Sequence, residues 1–253
     1  MAIAAVLLAA ITLLVTRNLS RDPKTIIKSS AVGITLHGAY LGGCFYSVSR
    51  GMSAGLVALI VCLQPIVVSV SASYFLKEKL SGRSVIGLVL GLIGVMTVII
   101  PRISGANKIS TAAIVTAVIA LIGGSSGTLL QKRFASDVPM LAGATYQYAA
   151  TAIVIGAIAL ATEPIFIDWT PKFIFALSWL VLALSLGAIL LLFYLLQSGT
   201  AAEVSSLYYL VPAVTAGMAY VFFNEKVSPI SAIGTLIAVI GVWLVTGKKN
   251  APK

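Results

Sequence analysis

The chain has 253 residues, 59% of them hydrophobic and only 9% charged, with a formal net charge of +10 and a mean hydropathy of +1.07. A soluble domain carries about 25% charged residues, so a soluble fold is excluded. Apolar stretches of roughly 20 residues, each long enough to cross about 30 Å of hydrocarbon, consume most of the length and leave little for a domain outside the membrane.

In chain order the predicted spans are 1–16, 31–49, 54–76, 84–101, 111–131, 140–162, 173–197, 201–223 and 229–247. Only helices and closed barrels satisfy their backbone hydrogen bonds in lipid, and runs this long lack the alternation of barrel strands. The expected fold class is all-α, a polytopic membrane protein with nine transmembrane helices. Turn and charge signals separate the spans: Arg21-Asp22-Pro23-Lys24, Lys77-Glu78-Lys79, Ser104-Gly105-Ala106-Asn107-Lys108, Ser136-Asp137-Val138-Pro139 and Asp168-Trp169-Thr170-Pro171. The opening stretch has no basic residue ahead of it and is followed by Arg17, Arg21, Lys24 and Lys28. That order argues for a retained span rather than a cleaved signal peptide.

The 17 Lys and Arg lie in short loops and form no extended basic surface, which argues against a nucleic-acid partner. Counted over alternate loops, 12 fall on one side and 5 on the other. The richer side is predicted to be cytoplasmic, which puts the C-terminus inside and Met1 outside. Cys44 and Cys62 sit within apolar stretches and read as packing residues, and no metal or cofactor is expected.

A shift of 147 residues lays 53–98 over 200–245 without a gap, with 17 of 46 positions identical. Pro65 falls on Pro212, Phe75 on Phe222, Glu78-Lys79 on Glu225-Lys226, Gly87 on Gly234 and Gly94 on Gly241. The paired helices are five crossings apart, an odd number, so the two halves are expected to insert with opposite orientation. The halves run over 1–103 and 109–249. Inverted halves are a transporter architecture with a site near the bilayer midplane. By the same shift the partner of span 111–131 would precede Met1, so the expected plan is four helices plus five, out of five plus five.

The segments Ser53-Ala54-Gly55-Leu56-Val57-Ala58-Leu59-Ile60, Leu63-Gln64-Pro65, Lys77-Glu78-Lys79-Leu80 and Gly87-Leu88-Val89-Leu90-Gly91-Leu92-Ile93-Gly94-Val95 resemble the EamA family of the drug/metabolite transporter superfamily. The resemblance covers essentially the whole chain. It implies a carrier of two inverted five-helix halves, here without the opening helix, in a bacterial inner membrane and exporting amino acids or other small metabolites.

Pro65 and Pro212 lie near the centres of matched spans, and each removes a helix hydrogen bond, freeing the carbonyls of Val61 and Tyr208. Paired interruptions of this kind point to a binding site. Gln64 precedes Pro65, and a primary amide in hydrocarbon needs a partner that a substrate can supply. His37, the only histidine, falls in a stripe Gly33, His37, Tyr40, Cys44, Ser47 on one helix face. Ionisable groups within a membrane usually face a cavity, although a neutral imidazole bonded to a neighbouring helix is the plainer alternative. Gly124, Thr128 and Gln131 share a face of the fifth span, as Ser205, Tyr208, Pro212 and Thr215 do in the eighth, where Glu203 stands near the start. Tyr146, Gln147, Tyr148, Trp179 and Tyr194 are further aromatic or amide lining, or interfacial anchors.

The expected function is therefore transport of a small-molecule substrate across a lipid bilayer by alternating access, with His37 and Glu203 as the groups open to proton coupling. Two other readings compete. One is an inactive or truncated carrier acting as a scaffold; the other is an intramembrane serine protease, for which Gly124-Ser125-Ser126-Gly127 supplies a weak four-residue pattern with His37 as a conceivable base. An enzyme is not expected. The small-residue faces suit contacts within one chain or between the copies of a homodimer.

Overall fold

The protein is described from a computed structural model covering residues 1–17, 19, 21–100, 110–134, 137–162, 167–212, 214, 217–218 and 228–247. All regular structure among the described residues is helical. The helices are α1 (Ala2–Thr16), α2 (Pro23–Gly33), α3 (Tyr40–Ser49), α4 (Ala54–Val61), α5 (Gln64–Phe75), α6 (Gly82–Ile99), α7 (Thr111–Phe134), α8 (Met140–Thr162), α9 (Pro171–Trp179), α10 (Ile189–Ser198), α11 (Ala201–Ser206) and α12 (Pro229–Thr246). A π-helical segment, Ile34–Ala39, joins α2 to α3, a second one, Leu180–Ala188, joins α9 to α10, and a 3-10 turn, Leu207–Leu210, comes after α11.

Polar side chains and prolines fix where these helices begin. Ser53, Ser81, Thr170 and Ser228 each accept a bond from the backbone N–H three residues on, satisfying a donor that has no partner within the helix. Pro23, Pro171 and Pro229 open their helices at positions where the missing N–H costs nothing.

Among the described residues, six helical stretches are long and apolar enough to cross a membrane: Ala54–Phe75, Gly82–Ile99, Thr111–Phe134, Met140–Thr162, Pro171–Ser198 and Pro229–Thr246. Of the three other predicted spans, the first is the 15-residue α1. The second lies within the helical run from Pro23 to Ser49, and most of the third beyond Pro212, with Thr215, Phe222, Glu225 and Lys226, falls outside the described residues.

The chain forms two compact units, and each draws on both sequence halves. Unit 1 comprises Met1–Gly42 and Ser126–Gly199. Its post is α8, against which α1, α2, the first π segment and α10 pack. The core is Leu8, Val32, Leu36, Tyr148 and Phe193. Near one end Lys132 donates to the carbonyls of Leu196 at 2.7 Å and Gly199 at 2.5 Å, satisfying acceptors that the end of α10 leaves open.

Unit 2 comprises Gly43–Ser125 and Thr200–Lys253. Its centre is the crossing of α6 with α12. A Cβ added at Gly87 would stand 2.6 Å from the Gly241 carbonyl oxygen, and one at Gly94 would stand 2.6 Å from that of Gly234. The two backbones therefore touch. Because the lower-numbered glycine of each helix meets the higher-numbered one of the other, the helices run antiparallel.

Both units bury polar groups and expose apolar ones: His37 and Gln64 are 1% exposed, whereas Leu14 is 80% and Ile153 72% exposed. That distribution suits hydrocarbon as the surrounding solvent.

Gly94→Val puts a branched side chain against backbone that cannot retreat. It should lower the stability of purified protein by about 1–3 kcal/mol or prevent accumulation. Gly156→Ala, at a position with open space around it, should leave the unfolding temperature within error. Equal behaviour of the two variants in detergent melts would show that the α6–α12 contact is not as close as described.

Candidate functional site

Unit 1 holds a buried polar cluster built from both halves of the sequence. His37 comes from the first π segment, Gln131 from α7, and Gln147 and Tyr148 from α8. The His37 ring lies against Tyr148 with centroids 4.5 Å apart and planes tilted by 31°. The side chain of Ser185, from the second π segment, is close enough to interact with Tyr148. Both π segments therefore converge on one tyrosine. Such segments, which insert a residue into a helical turn, occur often at functional positions.

The amides of the cluster are partly paired. Gln147 donates Nε2–H to Oε1 of Gln131 at 2.8 Å. Gln147 Oε1, Ser29 Oγ and both imidazole nitrogens of His37 are shielded from solvent and make no hydrogen bond of ordinary geometry, although the Gln147 side chain is close enough to interact with His37. Beside them lies a cavity of about 10 Å³ lined by Ser29, Gln131, Gly143 and Gln147, with Lys28 among its lining residues. That is room for about one water. Lys28 pairs with Asp137 at 2.6 Å and lies 5.1 Å from the centre of the Phe134 ring.

The close approach of backbones forms this cluster. Gly33 packs on the backbone of Gln147, and a Cβ at Gly127 would stand 2.7 Å from the backbone nitrogen of Leu36. Thr128 is fully buried, Gln131 is buried, and Tyr40 is half-buried. Trp179 and Tyr194, considered as lining, are 58% and 60% exposed on unit 1.

Unit 2 holds the other predicted residues. Its helix breaks between α4 and α5 rather than bending: Cys62 N–H still bonds the Ala58 carbonyl, but the Leu63 N–H reaches only Ile60, and Pro65 lies in the first turn of a new helix. Gln64 and Pro65 are buried there. The corresponding stretch before Pro212 is the 3-10 turn Leu207–Leu210, which contains Tyr208. Ser205 is fully buried and donates to the Ala202 carbonyl at 3.3 Å, and α11 packs on α5. Gly124 is buried within α7. Glu203 closes a capping box with Thr200, which places it at a helix start.

Sequence reasoning missed the Gln131–Gln147 pair, although two glutamines in adjacent spans were a usable signal, since each needs a partner in hydrocarbon. It also missed Ser29 and the buried Tyr209, whose hydroxyl lacks a partner. Tyr209 faces Gly91 through its ring, a contact that depends on which helices meet.

The EamA-like transporter profile matches residues 1–100 and 111–247. The chain belongs to the EamA-like transporter family. Membership of the drug/metabolite transporter superfamily comes with it. The chain is 29% identical over 204 residues to the uncharacterized transporter YvbV of Bacillus subtilis, covering 80% of this chain and 66% of that protein. It is 33% identical over 84 residues to an uncharacterized transporter of Archaeoglobus fulgidus, covering 33% of this chain and 29% of that one. One crystal structure shares the fold with a TM-score of 0.78 at 21% identity, covering 96% of this chain and 84% of its own. The family match, with the long apolar helices, makes this EamA member an integral membrane protein of a transporter family.

Gln131→Leu removes the acceptor of a buried amide and Gln147→Leu its donor. Their coupling in a double-mutant cycle should be about 0.5–1.7 kcal/mol, the range for polar pairs in membrane interiors. Strict additivity in unfolding measurements would dissolve the pair.

Proposed function

We propose that this EamA member is an alternating-access carrier of two inverted halves, 1–103 and 109–249, which takes a small polar metabolite such as an amino acid and exports it across a bacterial inner membrane. In this reading nine spans cross the bilayer and the C-terminus is cytoplasmic. The halves insert in opposite senses, and the antiparallel crossing of α6 and α12, mates under the 147-residue shift, supports that. The matched interruptions before Pro65 and Pro212 support it as well.

The observation that carries the site is the set of buried, unbonded polar atoms in unit 1, on His37, Gln147 and Ser29. Such groups cost free energy in a low-dielectric interior unless something bonds them, and a polar substrate or the water it displaces supplies the missing bonds. His37 stands where residues of the two halves meet, with Tyr148 as a ring face and Gln131 beside Gln147. In unit 2, Gln64, Ser205, Tyr208 and Pro212 stand at the matched breaks and are a separate set of proposed binding residues. Proton coupling, where present, rests on His37 or Glu203.

Reconstituted vesicles should show saturable flux of a metabolite, with His37→Ala and Gln64→Ala each lowering it about tenfold, the worth of one buried substrate hydrogen bond, at unchanged protein content. Unchanged flux in both variants would remove these residues from the site. Flux indifferent to an imposed pH gradient would exclude proton coupling. Cysteine labels at positions 79 and 226 should react from opposite sides of the membrane; labelling from one side would end the inverted plan.

A further inference from the structure

The end of unit 2 that carries the α5–α6 loop holds a second polar site, separate from the residues assigned to transport except for Glu203. A cavity of about 170 Å³ opens there, lined by Glu78, Lys79, Arg83, Ser84, Glu203 and Leu244 among others. Two carboxylates and two cations thus share one space. Among the described residues the one ion pair is Lys28–Asp137, so these four charges line a common cavity without closing on one another.

Three of the four, Glu78, Glu203 and Arg83, are held by something else. Both oxygens of Glu78 accept from the Ala201 N–H, at 3.0 and 3.2 Å, and Glu203 Oε2 accepts from the Thr200 N–H at 2.8 Å. The Arg83 guanidinium lies 4.8 Å from the centre of the Trp243 ring, and Gly247 leaves no room for a Cβ beside Arg83 Nη2, which would stand 2.7 Å away. Arg83 Nε is shielded from solvent with no acceptor. A buried guanidinium donor without a partner calls for an anion, and carboxylates with lone pairs to spare call for a donor cation. Fixed opposite charges that do not meet suit a ligand carrying both.

Arg83 stacked on a 62% exposed tryptophan at the end of an apolar helix is the side-chain pattern of a membrane–water boundary. We propose that this cavity binds the zwitterionic headgroup of an aminophospholipid, its phosphate on Arg83 and Lys79 and its ammonium on Glu78 and Glu203. The site is independent of the transport reading, because it needs neither alternating access nor a substrate.

The test uses the full chain in detergent, stripped of lipid, and titrated by native mass spectrometry with dihexanoyl phosphatidylethanolamine, phosphatidylcholine and phosphatidylglycerol. The ethanolamine lipid should bind about tenfold more tightly than the choline lipid, whose methylated amine donates no hydrogen bond, and than the glycerol lipid, which has no amine. Arg83→Gln should weaken the ethanolamine lipid about tenfold, and Glu78→Gln, which keeps an acceptor for Ala201, should erase the preference over choline. Equal binding of the three lipids to the unaltered protein overturns the proposal without any variant. Saturation by O-phosphoethanolamine at concentrations no higher than those of the lipid would keep the chemistry and overturn the lipid source.

Discussion

The contact on which unit 2 depends is glycine on glycine. In hydrocarbon, apolar side chains gain little by leaving lipid for one another, so helices associate through close backbone packing and the polar groups it brings together. Gly87 and Gly94 on α6 meet Gly241 and Gly234 on α12, and nothing larger than hydrogen fits between them. This crossing settles which side chains share the rest of the unit. Tyr209 finds its slot against Gly91, and Arg83 finds Trp243.

Unit 1 uses the same device for a different result. Gly33 and Gly127 bring α8 and α7 against the segment that carries His37, and polar atoms rather than methyl groups fill the space that remains. Two π segments, one supplying His37 and the other Ser185, both address Tyr148. A helix of uniform pitch would place those side chains elsewhere, so the local irregularities are part of how the polar cluster forms. In the proposed carrier, its unbonded atoms are where a solute's own hydrogen bonds would be worth most.

How far the sequence could be read depends on what each feature requires. Helical character and approximate spans were legible because hydropathy and backbone satisfaction in lipid act locally along the chain. Pro65 was legible as an interruption, although the helix breaks there instead of kinking. Of the stripe Gly33, His37, Tyr40, Cys44, Ser47, the structure buries Gly33, His37 and Ser47 and leaves Tyr40 and Cys44 half-buried. Gly43, outside the stripe, is buried as well, because the π segment Ile34–Ala39 adds a residue to the turn and shifts the register of α3. No pattern of apolar residues announces such an insertion. Tyr40 therefore stands half-buried, and the ring beside His37 comes from α8, more than a hundred residues later.

The sequence by itself determined an all-helical membrane chain, its family and the identity of its polar residues, since these depend on composition, local periodicity and motif. Tertiary structure alone decided which of those residues meet: His37 with Tyr148, Gln131 with Gln147, Arg83 with Trp243. Those pairings depend on distances of a few ångströms between helices far apart in the chain. The spacing is set by where glycines let two backbones touch; the glycines are legible along each helix, but which of them meet is not.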